Sequence, residues 1–387
     1  MNNFFSKNME RCLYVCLLIS INSAYLFIKI LTTFSFIFPK KNKGEIILFP
    51  YSQKGSDGYT RRFEEYFKFF NHDNIKYKVC DIFSNEYYIQ CLDGNRSQQY
   101  RLYSKTIWIR IFQVLQAKNY KAVFIQRGLF PFYPDQKIPY LEKLLRKLNS
   151  NITIDFWDSV WIFNEDLVSS TVKFVDKICV ANDYIMQYFI NEKAEKFLFP
   201  IGINLDKYII KEDYSDKEDF KLFYTGSPNN VKYFLNEIEN ILISIKKQFS
   251  IILIIVSRAR FFLKDIDIEY YDFEEKSFFE LLNNSDIGLY LVSDSEENRG
   301  KTAMKVFDYM AAGLPSIASP IGITSYACNN KNILFASTEE EWITSLKLLL
   351  SKVELRKSIG RNACATVHKY HNLTSSYKTF KNIIFSN

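Results

Sequence analysis

The chain has 387 residues, of which 48% are hydrophobic and 24% charged, and it carries a net charge of +7 at pH 7. This length and this proportion of hydrophobic to charged residues indicate a globular protein that is long enough to form two domains, and they exclude a disordered chain. The basic residues are spread along the sequence without a nucleic-acid-like block, so we expect anionic partners but no nucleic acid.

Cysteine, histidine and glycine spacing predicts neither a metal nor a redox cofactor. The seven cysteines form no Cys-x-x-Cys pair, and the three histidines form no metal-binding motif. No Gly-x-Gly-x-x-Gly opens a first helix, which argues against a dinucleotide-dependent dehydrogenase. We therefore expect a protein that needs no cofactor.

The N-terminal segment, residues 1–44, differs from the rest of the chain. Lys29 is the only charge within residues 12–38, and a helix over residues 12–28 would nearly cross a hydrocarbon core of roughly 30 Å. Lysines within residues 40–43 favour keeping the rest of the chain on the cytoplasmic face of a membrane. A spanning helix, a helix lying in the interface and a cleaved signal peptide are the three alternatives, and we expect membrane association.

From residue 45 short β-branched or aromatic runs alternate with helical patterns, which is typical of βα units and a parallel sheet. The predicted strands of a first domain, residues 45–203, are 45–51, 76–81, 122–126, 152–156 and 177–181. Gly55 and Gly58 lie in the loop after the first strand, before a predicted helix over 59–70. A loop of this kind can bring backbone N–H groups close to an anion, although a surface turn is the alternative.

The pattern starts again in a second domain, residues 204–370. Its predicted strands are 221–225, 251–256, 268–272, 286–292, 316–318 and 333–336, with a helix at 277–284. Thr338 and Glu341 form a capping box that predicts the start of a further helix. The sequence therefore predicts an α/β protein with two doubly wound, Rossmann-like domains, whose strand carboxyl ends face a central cleft where ligands bind.

The most informative stretch runs from Arg299 to Gly322. A glycine-opened loop enters a predicted helix on which Lys301, Lys305 and Asp308 share one face at i, i+4 and i+7. Such a loop and helix can hold an anion at the helix start and a hydroxylated group farther along. A solvated helix surface is the alternative.

This stretch resembles the donor-binding signature of family-4 glycosyltransferases, which are retaining enzymes of the GT-B fold. Their pattern is a glutamate, seven residues, a second glutamate and a Met-Ala-x-Gly-x-Pro run. Asp308 matches the second glutamate, which in the family holds the ribose of a nucleotide sugar, whereas Gly300 stands at the first acidic position. Further similar stretches lie, in chain order, at Val123–Gly128, Ile152–Trp161, Phe199–Asn204 and Thr225–Asn230.

The resemblance implies a nucleotide diphosphate sugar as donor, and a C-terminal helix at residues 371–387 that packs back on the first domain. In a metal-free site the charge of the leaving diphosphate is met by lysines, arginines and helix N-termini. The predicted donor-binding residues are Gly55, Gly58, Gly226, Ser227, Lys232, Arg299, Gly300, Lys301, Lys305 and Asp308.

Candidate catalytic residues lie at predicted strand ends of the first domain. Asp155 and Asp158 flank Trp157, where they could bind an acceptor or remove the proton of its attacking hydroxyl. Capping of the next helix is the alternative for both acids. Arg127, at the end of strand 122–126, could bind an acceptor phosphate or assist the leaving group, and a structural salt bridge is its alternative.

Together with the apolar N-terminal segment, the resemblance implies a membrane-associated bacterial glycosyltransferase of the hexosyltransferase type, acting with retention. It would move a sugar from a nucleotide diphosphate donor to a lipid-linked or polysaccharide acceptor in cell-surface glycan synthesis. Because Gly300 replaces an acid, a catalytically degenerate GT-B scaffold or binding subunit of a glycan assembly complex stays open. A nucleotide-sugar epimerase of similar architecture is a third alternative.

Overall fold

The computed structural model describes residues 2–35, 39–82, 95–323 and 326–385. The chain divides into two compact units. Unit 1 comprises Met1–Phe199 together with Tyr377–Asn387, and unit 2 comprises Pro200–Ser376.

Unit 1 is built on a six-stranded parallel sheet of order β2-β1-β3-β4-β5-β6. Its strands are β1 Gly44–Phe49, β2 Tyr77–Val79, β3 Tyr120–Gln126, β4 Ile152–Phe156, β5 Lys177–Val180 and β6 Glu195–Leu198. Its helices are α1 Asn2–Thr33, α2 Asp57–Tyr59, α3 Glu65–His72, α4 Arg96–Gln116, α5 Tyr140–Leu148, α6 Glu165–Thr171 and α7 Asp183–Tyr188. The central strands β3 and β4 are buried along nearly their whole length, as is typical of a parallel sheet covered on both faces.

Unit 2 repeats this arrangement with a parallel sheet of order β12-β11-β10-β7-β8-β9. Its strands are β7 Phe220–Thr225, β8 Ile251–Val256, β9 Asp267–Tyr271, β10 Ile287–Tyr290, β11 Ser316–Ala318 and β12 Leu334–Phe335. Its helices are α8 Pro228–Lys246, α9 Glu275–Asn284, α10 Glu296–Arg299, α11 Met304–Ala312, α12 Glu339–Ser351 and α13 Val353–Tyr370, and α14 Leu373–Phe385 runs from unit 2 into unit 1.

Every predicted strand is present, with ends that differ by a few residues at most. The predicted capping box is also confirmed, because the side chain of Thr338 accepts from the backbone N–H of Glu341 and the Glu341 carboxylate accepts from that of Thr338. The strand β6 was not predicted, since Glu195–Leu198 is exposed or half-buried at a sheet edge and lacks an apolar run.

The C-terminal part of the chain forms two helices, α13 and α14, separated by His371 and Asn372, and α14 lies within the predicted helix 371–387. At the break the backbone N–H of Ile203 donates to the carbonyl oxygen of His371 at 2.7 Å. Farther along α14, within unit 1, the ring of Tyr377 stacks on Phe69 with ring centres 4.7 Å apart. The end of α14 is therefore part of the core of unit 1.

A buried ion pair fixes the helical segment after β1 to the end of β4. Arg62 Nε lies 2.8 Å from Asp155 Oδ2, Arg62 Nη2 lies 3.0 Å from Oδ1, and both side chains are fully buried. The same guanidinium donates to the carbonyl oxygen of Phe199 at 2.8 Å and lies over its ring. Arg62 thus joins three segments of unit 1, including its last residue before the chain enters unit 2.

Substitution Arg62→Met should lower the free energy of unfolding by about 3–5 kcal/mol, because it leaves the Asp155 carboxylate buried without its partner. The matched control is Lys121→Met, which removes a pair with Glu45 of 2.8 Å in which the lysine side chain is 60% exposed. The control should change stability by less than about 1 kcal/mol. Chemical denaturation followed by circular dichroism measures both values, and equal losses would show that the buried pair does not hold these segments.

Candidate functional site

The candidate site lies at the carboxyl end of β7, in unit 2. The strand ends at Thr225, and Gly226 and Ser227 follow before α8. Lys305, in the first turn of α11, places its Nζ 3.2 Å from the hydroxyl oxygen of Tyr224 and 4.4 Å from the centre of that ring. A Cβ atom at Gly226 would lie 3.2 Å from the same Nζ, so the glycine leaves room for the ammonium group.

Lys305 has no carboxylate partner among the residues that the structure describes; its contacts are with Tyr224. Burial and, to a lesser degree, the charge of Lys301 lower the pKa of Lys305 from 10.5 to about 7. The lysine also lies in the first turn of a helix, where the helix dipole disfavours a cation. All three effects would be relieved by a bound anion, so the surroundings of Lys305 favour anion binding.

The backbone in front of α11 has an unusual conformation. Ala303, the residue before the helix, has φ 46° and ψ 40°, in the left-handed region that few residues other than glycine adopt. Its side chain does not cap the helix. The first N–H groups of α11 therefore have no side-chain cap from this position, and helix N-termini of this kind bind phosphates and carboxylates.

Asp308 lies farther along α11 than Lys305. Its side chain is nearly buried, and the hydroxyl of Tyr208 donates to Asp308 Oδ1 at 2.5 Å. The ring of Tyr208 packs edge-on against Phe279 at 4.7 Å between ring centres. Sequence reasoning missed Tyr208, because no motif marks a single tyrosine after the short 3-10 turn Leu205–Lys207.

The structure corrects the predicted position of Lys301. The sequence places Lys301, Lys305 and Asp308 on one helix, but α11 begins only at Met304, because the left-handed Ala303 separates it from the preceding loop. Lys301 Nζ instead lies 2.9 Å from Glu297 Oε1. Only Lys305 and Asp308 of the predicted trio lie on α11.

Arg299 is also engaged in an ion pair, since its Nε and Nη2 lie 2.6 and 2.8 Å from the carboxylate oxygens of Asp294. Gly300 is buried between α10 and α11. Ser227 is exposed at the N-cap of α8, without a side-chain cap hydrogen bond, and Lys232 is exposed on the same helix. Lys305 is therefore the predicted cation most closely enclosed at the end of β7.

In unit 1, the predicted loop with Gly55 and Gly58 is held by a residue that the sequence analysis missed. Gln126, buried at the end of β3, accepts from the backbone N–H groups of Tyr51 and Ser52 at 3.0 and 3.1 Å. A Cβ atom at Gly58 would come within 2.9 Å of Ser52 Oγ, whereas one at Gly55, with φ 83°, would meet nothing within 4 Å. Glycine is therefore favoured at Gly55 by its left-handed backbone, whereas a side chain at Gly58 would require only a shift of Ser52 Oγ.

The three candidate catalytic residues separate into two groups. Arg127 and Asp158 form an ion pair in which both side chains are about one-third exposed. Arg127 adopts a left-handed φ of 60°, and its guanidinium lies 5.5 Å from the ring centre of Tyr51. Asp155, in contrast, is buried in its pair with Arg62, and burial raises the pKa of Asp155 while the charge of Arg62 opposes that shift. Arg127 and Asp158 are therefore the accessible members of the predicted set.

Residues 268–382 match a family model described as glycosyl transferase-like. This match runs from β9 into α14 and includes α11 with Lys305 and Asp308. No curated protein matches the chain in sequence.

Solved structures of similar fold include the following three. A sucrose-phosphate synthase from Thermosynechococcus elongatus has a TM-score of 0.61 at 12% identity, covering 88% of this chain and 98% of its own. A glycosyltransferase from Rickettsia africae has a TM-score of 0.62 at 13% identity, covering 89% and 100%. HepE from Anabaena, in complex with UDP and glucose, has a TM-score of 0.61 at 11% identity, covering 89% and 100%.

At these identities the similarity concerns the fold. The two six-stranded parallel sheets with flanking helices are those of GT-B glycosyltransferases, and the predicted fold class is confirmed.

Replacing Lys305 by methionine should raise the thermal stability of the protein. The pKa of Lys305 is about 7 in the folded chain, against 10.5 for a lysine in the unfolded chain. The buried charge therefore destabilises the fold, most strongly below pH 7, and this cost fades as the pH rises towards 10.5. At pH 7 we expect a gain in Tm of at least about 2–4 °C.

The same measurement on Lys232→Met, which removes an exposed lysine from α8, should leave Tm unchanged. A Tm for Lys305→Met at or below that of the wild type at pH 7 would show that the charge of Lys305 does not destabilise the folded protein.

Proposed function

We propose that this protein is a glycosyltransferase that takes its sugar from a nucleotide diphosphate sugar. The GT-B fold and the match over residues 268–382 support this proposal. The observation that carries it is the ammonium of Lys305 at the carboxyl end of β7, which no described carboxylate pairs and which lies on the same helix as Asp308. HepE, a protein of similar fold, has been solved with UDP and glucose bound.

In this proposal Lys305 and the N-terminus of α11 bind the diphosphate. Breaking the bond between the sugar and the diphosphate leaves negative charge on the leaving oxygen, and cations placed in advance stabilise that charge in the transition state. Because the helix dipole and a low-dielectric environment strengthen this attraction, a single lysine here can contribute about 10²- to 10³-fold to the rate.

Asp308 would bind the ribose of the donor. A carboxylate accepts hydrogen bonds from hydroxyl groups, and in this structure Asp308 accepts one from Tyr208. Since Asp308 is only 5% exposed, the hydroxyl of Tyr208 occupies a place that a ribose hydroxyl would take. Binding would then exchange one hydroxyl donor for another at the same carboxylate.

The finer features of the proposal rest on the family-4 resemblance. Retention at the anomeric carbon and a lipid-linked or polysaccharide acceptor follow from it. A role on the cytoplasmic face of a membrane is proposed from the apolar N-terminal segment and the lysines within residues 40–43. In unit 1, the accessible pair of Arg127 and Asp158 lies at the ends of neighbouring strands β3 and β4, and we propose it for acceptor binding.

A second candidate function is nucleotide-sugar binding without turnover, as a subunit of an assembly complex. Gly300 favours it, because the residue at the first acidic position has no side chain to contact the transferred sugar. An assay for release of sugar from the donor distinguishes the two functions, since only the enzyme would release it.

Isothermal titration with a panel of nucleoside diphosphates, followed by sugar-release assays with the matching nucleotide sugars, tests the proposal. We expect the wild type to bind at least one nucleoside diphosphate and to release sugar from the corresponding donor. Asp308→Ala should weaken that binding about 10- to 100-fold, because hydrogen bonds to a charged group are worth about 1.5–3 kcal/mol. A 2′-deoxy nucleotide should bind the wild type more weakly but lose little further affinity in Asp308→Ala.

The matched control is Glu354→Ala, which removes an exposed acid from α13 and should bind as the wild type does. Absence of binding to every nucleoside diphosphate would reject the proposal, and an unchanged affinity of Asp308→Ala would reject the ribose assignment. Binding without sugar release from any donor would favour the second candidate.

A further inference from the structure

The helix α1 packs against unit 1 along one face. The apolar residues of this inward face recur every three or four positions, and each is at most 7% exposed: Leu17, Ile21, Ala24, Ile28 and Leu31. Such a spacing places the side chains in one stripe along a helix. The helix is therefore docked on the protein over most of its length.

Aromatic side chains hold α1 against its two neighbours, α4 and α5. The indole Nε1 of Trp108 on α4 donates to Ser20 Oγ at 3.2 Å, and its ring lies 5.8 Å from that of Phe27. On the other side the ring centres of Tyr25 and Tyr140 are 4.4 Å apart. A helix that crossed a bilayer would have to give up these contacts.

The opposite face of α1 is apolar and exposed. Val15, Ile19, Leu26 and Ile30, which we name the outward stripe, follow one another at i, i+4, i+11 and i+15, and they are 47–62% exposed. This spacing puts them on one side of the helix, nearly opposite the inward face. By length and composition, Asn8–Thr33 is apolar enough to cross a membrane, yet only its outward side is open to a partner.

Basic residues flank the outward stripe on both neighbouring helices. Arg101 and Lys105 of α4 share a face with Trp108, which contacts α1, and both are exposed. Lys143 and Lys147 of α5 are exposed and share a face with Tyr140, which also contacts α1.

None of these four cations forms an ion pair with a described carboxylate. An apolar stripe between two rows of exposed cations is complementary to a surface with apolar chains below anionic headgroups.

We propose that α1 lies in the plane of an anionic lipid bilayer, with its inward face docked on unit 1 and its outward stripe inserted among the lipids. The contacts of the inward face argue against a spanning helix, and the flanking cations favour a lipid surface with negative charge. This inference does not depend on the reaction proposed above. It would place unit 1 directly on the membrane surface.

Vesicle co-sedimentation of the full chain tests the surface. The wild type should bind phosphatidylcholine vesicles that contain phosphatidylglycerol, and bind pure phosphatidylcholine vesicles more weakly. Ile19→Glu with Leu26→Glu should reduce binding to both at least about tenfold, because two charges enter the apolar layer. Arg101→Ala with Lys105→Ala should reduce binding about 10- to 30-fold on the anionic vesicles alone.

The control is Phe262→Glu with Phe273→Glu, which places the same charges on exposed apolar residues of unit 2 and should bind as the wild type does. All of these positions are exposed, so the circular dichroism spectrum and Tm should not change. Failure of the wild type to bind anionic vesicles, or equal loss in the control, would overturn the inference. So would concentration-dependent dimerisation without vesicle binding, which would assign the outward stripe to a second copy of the chain.

Insertion depth distinguishes a helix that lies from one that spans. A fluorophore attached in separate single-cysteine variants at Cys12, Ile19→Cys and Ile30→Cys would be quenched by lipids labelled at known depths. A lying helix gives the same shallow depth at all three positions. A spanning helix would separate positions 19 and 30 by about 16 Å along the bilayer normal, and that result would contradict the proposal.

Discussion

The site in unit 2 depends on one enclosed cation. The ammonium of Lys305 lies against the ring and hydroxyl of Tyr224, at the start of a helix and without a carboxylate partner among the described residues. Desolvation and the helix dipole both disfavour its charge, and the contact with an aromatic ring offsets only part of that cost. A bound diphosphate would relieve both effects. The charge that destabilises the free protein would therefore strengthen diphosphate binding, as is common at functional sites.

Much of the fold follows from local sequence patterns. Parallel strands covered on both faces read as short apolar runs, and the predicted ends of β4, β8 and β11 agree with the structure. The edge strand β6 has no such run, so nothing local reveals it. At the break between α13 and α14 the carbonyl oxygen of His371 accepts from the backbone N–H of Ile203, far away in sequence, and no periodicity can show such a contact.

The site was predictable only in part, for the same reason. Spacing located Lys305 and Asp308, but their partners Tyr224 and Tyr208 lie 81 and 100 residues away in the chain. The left-handed Ala303, which removes Lys301 from the helix, carries no sequence signal. In α1 the composition leaves three membrane interpretations open, and only the packing of Leu17 to Leu31 on α4 and α5 distinguishes the two faces.

Proton uptake on nucleotide binding tests the role of Lys305 most directly. With a pKa of about 7, Lys305 is mostly neutral at pH 8, and a bound diphosphate would restore its charge. Titration of a nucleoside diphosphate at pH 8, in two buffers of different ionisation enthalpy, should therefore show net proton uptake of more than about half a proton, with little uptake at pH 6 and an affinity that falls as the pH rises above 7. Lys305→Met should show no uptake at either pH. Binding by the wild type without proton uptake at pH 8, or equal uptake by Lys305→Met, would contradict the account.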